Sequence, residues 1–102
     1  MVYYSRQADI DLDEILEGLL HWKKFELTYD FCYNYVSDII DICDSLDTKT
    51  YHRNTFHPTH KQFGEKVYAY HRNKQTTWYI IYNIDLFGSI LVNKIISNHL
   101  TI

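Results

Sequence analysis

The sequence predicts an α+β fold: a short N-terminal strand, an antiparallel helical hairpin, then a three-stranded antiparallel meander, with both helices on one face of the sheet. Three observations lead there. Two stretches in the first half repeat their apolar side chains near every 3.6 residues. From Lys66 the period changes to two, and the run Thr76–Asp85, TTWYIIYNID, is the most strand-like in the chain. At 102 residues the chain has room for one domain with one core.

Val2–Ser5 is short, apolar and β-capable, the candidate first strand. Ser5 is placed to cap a helix from about Arg6 to Lys24. Ala8, Leu12, Ile15, Leu16, Leu19 and Leu20 form its apolar stripe. Asp9, Asp11, Asp13 and Glu14 read as a solvated face matched to the positive end of the helix dipole, with Lys23 and Lys24 at the negative end. Thr28 is placed to cap a second helix, about Tyr29 to Leu46, with the stripe Cys32, Tyr35, Val36, Ile39, Cys43 and Leu46. The short link Phe25–Leu27 makes the two helices antiparallel neighbours. Cys32 and Cys43 are eleven residues apart on that helix, roughly 16 Å along its axis, too far for a disulfide. They read as small buried side chains.

Asp47–Glu65 has no clean period and holds the sole proline, Pro58. Long irregular segments of this kind are often functional or mobile. His52, His57 and His60 lie in it, with no cysteine beside them and no helix to fix their spacing. They read as solvated loop histidines, and neither a metal nor another cofactor is expected. Lys66–Arg72 alternates Val67, Ala69 and His71 with Lys66, Tyr68, Tyr70 and Arg72. Asn73–Gln75 turns the chain into the central strand. There Trp78, Ile80, Tyr82 and Ile84 point to one side and Tyr79, Ile81 and Asn83 to the other. Asp85–Gly88 makes a second turn, with Gly88 free to take a positive φ. Ser89–Ser97 is the last strand and Asn98–Ile102 a tail.

No apolar run approaches the roughly 18–20 residues needed to span a bilayer, so no membrane partner is expected. The N-terminus turns acidic at once and carries no signal-peptide core, so a cytoplasmic location is expected. Charge is unevenly spread. Residues 1–47 hold three basic and eleven acidic side chains, a balance of −8. Residues 48–102 hold seven and two, a balance of +5, with five of the six histidines. The basic half suits phosphate or an acidic partner. On this reading the helices meet Trp78, Ile80 and Tyr82, and the other sheet face stays open. It would present Lys66, Tyr68, Tyr70, Arg72 and Tyr79, a set of cations, hydroxyls and aromatic faces that suits RNA. An ordinary solvated face with tyrosines as strand formers is the alternative.

The order of elements, the acidic first helix in YSRQADIDLDEIL, the GEKVYAYHR strand and above all TWYIIYNID resemble the RelE/ParE superfamily of type II toxins. The resemblance covers nearly the whole chain. It implies a toxin of a plasmid-stabilization, toxin–antitoxin system, held inactive by a cognate antitoxin protein. The first function implied is ribosome-dependent, metal-independent cleavage of mRNA. The alternatives are inhibition of DNA gyrase, as in ParE, or an attenuated toxin-fold binding module. Carried over from the nuclease branch, Arg72 would hold phosphate charge, Lys66 would assist, and His99 would act as general acid or base. Tyr68, Tyr70 and Tyr79 would contact the RNA. Tyr79 stands where those nucleases carry an arginine, a departure from their pattern.

Overall fold

The computed structural model describes residues 1–22 and 27–99. Strand β1 is Val2–Tyr4, helix α1 Arg6–Leu20 and helix α2 Tyr29–Asp44. A single turn of 3₁₀ helix, Leu46–Thr48, follows α2. Then come a two-residue strand β2, Arg53–Asn54, and a one-turn helix α3, Pro58–Lys61. The meander is β3 Lys66–His71, β4 Thr77–Ile84 and β5 Ile90–Ser97. The α+β class and the strand-rich second half are as expected. The sheet is larger than expected, with five strands in the order β1-β5-β4-β3-β2. β1 runs parallel to β5, and the remaining pairings are antiparallel.

Local chemistry accounts for the element ends. Ser5 Oγ accepts the amide of Ala8 at 3.1 Å, and Thr28 Oγ1 accepts that of Phe31 at 3.1 Å, so both expected N-caps are made. Asn73 Oδ1 accepts the amides of Gln75 and Thr76 and closes the β3–β4 turn. Gly88 has φ +81°, which an L side chain rarely adopts, in the β4–β5 turn. Lys23 and Lys24, and most of the expected link between the helices, fall outside the described residues.

The core lies between the helices and one face of the sheet. Ala8 and Leu12 of α1 and Val36, Ile39 and Cys43 of α2 pack with Leu46 on Ile80, Tyr82, Ile90, Val92 and Ile95. Each such large side chain removed from water stabilises by roughly 1.5–3 kcal/mol. Cys32 and Cys43 are both buried and unbridged. Burial and the neighbouring Asp44 carboxylate push the Cys43 thiol up to about 12.

Asp11 departs from expectation. It is 3% exposed and belongs to no solvated face. In the β4–β5 ladder Ile81 pairs with Lys94 and Tyr82 with Val92, which leaves Asn93 as the extra residue of a bulge. β1 covers β5 only from Ile90 to Val92. Beyond that point Asp11 serves as the missing partner. Its carboxylate accepts the Ile95 amide at 3.0 Å, Lys94 Nζ at 2.8 Å and Gln7 Nε2 at 2.9 Å.

The two sheet faces also differ from expectation. Tyr68 lies directly opposite Ile80, Tyr70 opposite Trp78 and Lys66 opposite Tyr82. Side chains paired across a ladder share a face. Tyr68 and Tyr70 therefore point toward the helices and pack against the core, and they are not on an open surface. Tyr79 lies opposite Ala69, on the other face. The expectation placed the two strands one residue out of phase, and a slip of one residue exchanges the faces of a whole strand. The second face is covered too. Val67 is 5% exposed and Ile81 0%. The chain that follows β2, up to Gly64, lies over this face. Gly64 comes so close that a Cβ there would stand 3.0 Å from the Tyr82 carbonyl oxygen and 3.1 Å from Ile81 Cγ2.

Candidate functional site

Where the Arg53–Gly64 segment crosses the second face it leaves a pocket of about 270 Å³, lined by Arg53, Phe56, His57, His60, Val67, Tyr79 and Asn98. Each wall has a local cause. Pro58 occupies the first turn of α3, where its missing N–H costs nothing. His57 caps that turn, with Nδ1 accepting the Thr59 amide at 3.1 Å. A backbone amide can only donate, so Nδ1 carries no proton there and the ring proton sits on Nε2. His60 follows three residues later, on the same side of the helix.

His60 is 5% exposed, and its Nε2 is buried with no hydrogen-bond partner among the described residues. Its ring lies 4.7 Å from that of Tyr79 and 5.1 Å from that of His57, centroid to centroid. Burial, and then the charges of His57 and Arg53, hold its pKa below the ordinary 6.5. The imidazole is therefore neutral at neutral pH, with one ring nitrogen free to accept or donate. Phe56 is 84% exposed at the pocket edge. Just beyond, on the same face, His71 Nδ1 lies 2.9 Å from Thr77 Oγ1. The pocket thus joins a fixed cation, a neutral buried imidazole, a second imidazole with a known tautomer and two aromatic rings. Such a set can stack a base, hold an anion and move a proton. Among the described residues no three His, Cys, Asp or Glu side chains converge as metal ligands.

Of the six residues expected at a site, only Tyr79 lines this pocket. Arg72 is on the helix face. Its guanidinium bonds Asp38 Oδ2 and the Tyr70 hydroxyl, and lies 4.3 Å over the Tyr35 ring. Burial opposes its charge, but the bonds to Asp38 and Tyr70 outweigh that and raise its pKa. Lys66 bonds Asn54 Oδ1 at 2.6 Å, at the far end of β3. At about 3.3 Å per residue it is roughly 20 Å from Arg72 along the strand, too far to share one phosphate with it. Tyr68 lies under Lys49 Nζ, 4.8 Å from ring centroid to nitrogen, and Tyr70 is held by Arg72. His99 is exposed at the end of β5, where its Nε2 lies 3.3 Å from Thr76 Oγ1. It stands one residue beyond Asn98, a wall of the pocket.

Arg53, His57, His60 and Asn98 were not singled out as site residues in the sequence. One signal for them is present there. A lone proline preceded by a capping residue marks a helix start, and two histidines three apart across that start share a side.

No protein-family model, no curated protein and no solved structure matches this chain.

Proposed function

We propose that the chain is the toxin of a type II toxin–antitoxin pair, of the RelE/ParE kind, and that it cleaves mRNA on the ribosome without a metal. The observation that carries this reading is the pocket over Tyr79, where neutral, buried His60 meets Arg53 and His57. The element order and the TWYIIYNID strand support the toxin assignment, as the sequence resemblance implies. In cleavage a base takes the 2′-hydroxyl proton, a cation bears the charge of the five-coordinate phosphate, and an acid protonates the leaving 5′-oxygen. His60 suits the base by its neutrality, and Arg53 the cation. His57 suits the acid as its imidazolium, which forms when Nδ1 takes a second proton and releases the Thr59 amide. Tyr79 and Phe56 offer rings for a base to stack on. In this assignment Arg72 is a structural residue, held to Asp38, and Lys66 is not part of the site.

One observation favours a second reading, inhibition of DNA gyrase. The paired cations carried over from the nuclease branch do not meet, since Lys66 and Arg72 stand a strand length apart.

The test is induced expression in bacteria, with primer extension on cellular mRNA and the supercoiling of a reporter plasmid as readouts. The proposal expects growth arrest, with new mRNA 5′ ends that vanish in folded Arg53→Ala and His57→Ala proteins. Arrest with intact mRNA and altered supercoiling would transfer the assignment to gyrase. No arrest would overturn the toxin reading altogether.

A further inference from the structure

A cavity of about 750 Å³, sharing no lining residue with the histidine pocket, lies in the groove between α1 and α2. Leu12, Leu16, Val36 and Ile40 make its apolar lining, and Asp9 and Asp13 stand on its α1 side. Both carboxylates are exposed, and neither has a hydrogen-bond or ion-pair partner among the described residues. They are four residues apart, about 6 Å along the helix, and so form a row. On the α2 side the cavity is walled by Asn34 and Ser37. Asp30 and Asp41 fall on that same helical stripe, at i−4 from Asn34 and i+4 from Ser37, and extend the wall with exposed acids at both ends.

An apolar trough edged by carboxylates that have no partner among the described residues asks for one kind of occupant. We propose that this groove docks an amphipathic helix of a partner protein, apolar on its inner stripe and lysine- or arginine-rich on its flanks. The charge argument selects the occupant. A segment with acidic flanks would set like charges against Asp9 and Asp13, while basic side chains at i and i+4 match their spacing. Asp9, Asp13, Asp30 and Asp41 are the part of the −8 balance of residues 1–47 that stands along this groove. The inference reaches past the proposed function. If that function holds, the helix belongs to the antitoxin, and it docks on a different side of the molecule from the pocket.

The test uses the full chain and two synthetic helical peptides of about sixteen residues, long enough to hold a helix when docked. They share one leucine stripe, and one carries lysine flanks, the other glutamate. Binding is read by fluorescence anisotropy and mapped by amide chemical shifts. The expected result is binding of the lysine peptide alone, with shifts confined to α1 and α2. Raised salt and the double substitution Asp9→Lys, Asp13→Lys should each weaken it by roughly tenfold or more. Both positions are exposed, so the fold should survive, and circular dichroism checks this. Leu16→Glu, which sets a charge into the trough, should weaken binding by itself. Equal binding of both peptides, shifts elsewhere or no binding would overturn the proposal. None of these readouts uses growth arrest or RNA, so the groove can fail while the toxin reading stands, and the reverse.

Discussion

The two faces of the sheet handle their polar groups in opposite ways. Toward the helices nearly every polar end finds a partner within the protein. The Tyr4 hydroxyl bonds Asp44 at 2.5 Å, the Trp78 indole N–H bonds Tyr35 at 2.8 Å, and Tyr82 lies 2.7 Å from His52 Nδ1. Arg72 is taken by Asp38. On the far face a buried imidazole nitrogen is left open, a phenyl ring stands in solvent and an arginine lines a cavity. Unmade bonds at buried positions cost stability, and the one on this face adjoins the pocket. By that measure the tyrosine-rich face is architecture, and the histidine-rich face is where the proposed function puts its site.

Substitutions can break this contrast or sharpen it. The largest effect is expected at Tyr82, which is 1% exposed at the centre of the core. Tyr82→Ala should cost about 3–5 kcal/mol in urea unfolding, while Tyr82→Phe, which loses only the bond to His52, should cost about 1 kcal/mol. A large loss in the phenylalanine variant would mean that the His52 contact anchors the Arg53–Gly64 segment as a whole. Next is Asp11→Ala. It strands the Lys94 ammonium, 19% exposed, and leaves the Ile95 amide without its acceptor, a loss of about 3 kcal/mol. A loss under about 1 kcal/mol would show that water replaces the carboxylate easily.

Arg72 and Asp38 call for a double-mutant cycle. Asp38 is 48% exposed, so solvent screens the pair, and their coupling should be about 1 kcal/mol or less. Growth arrest should survive Arg72→Ala once stability is restored by a lower temperature. Loss of arrest in a folded Arg72→Ala protein would return that residue to the site. The smallest effect is on pH dependence. Because folding holds the His60 pKa below 6.5, its neutral form is favoured in the native state. The stability that this linkage supports is complete above pH 6.5 and falls away as the pH drops through the depressed value. His60→Phe keeps a ring against Tyr79 and removes that slope, so the acid limb of its stability profile should be flatter than the wild type's. Superimposable limbs would mean that His60 is solvated in solution.

Much of the fold was legible because it rests on short-range rules. Ser5 and Thr28 cap where capping chemistry puts them, and the stripes Ala8–Leu12 and Val36–Ile39–Cys43 face the core as their spacing requires. The β4–β5 turn closes at Gly88, the one residue with a positive φ among the described residues. What misled was a matter of phase and of long-range contact. The face of Tyr68 depends on which residue of β4 it meets, and nothing within β3 specifies that. Asp11 sits among Asp9 and Asp13 and looks like them, yet a bulge eighty-odd residues later decides its environment. The pocket was hidden for the same reason. Its segment has no period of its own and takes shape against the sheet, through Gly64 over the Tyr82 carbonyl.

The pairing of Val2 with Ile90 has a consequence in time. Both helices are made before the strands they lie on, and the first strand has no neighbour until the last one exists. Until then the helix stripes lack the cover that Ile90, Val92 and Ile95 supply. Contacts this distant in sequence slow folding and lengthen the interval in which sticky surface is open to water. Completion of the sheet therefore waits on β5, the strand that lies between β1 and β4.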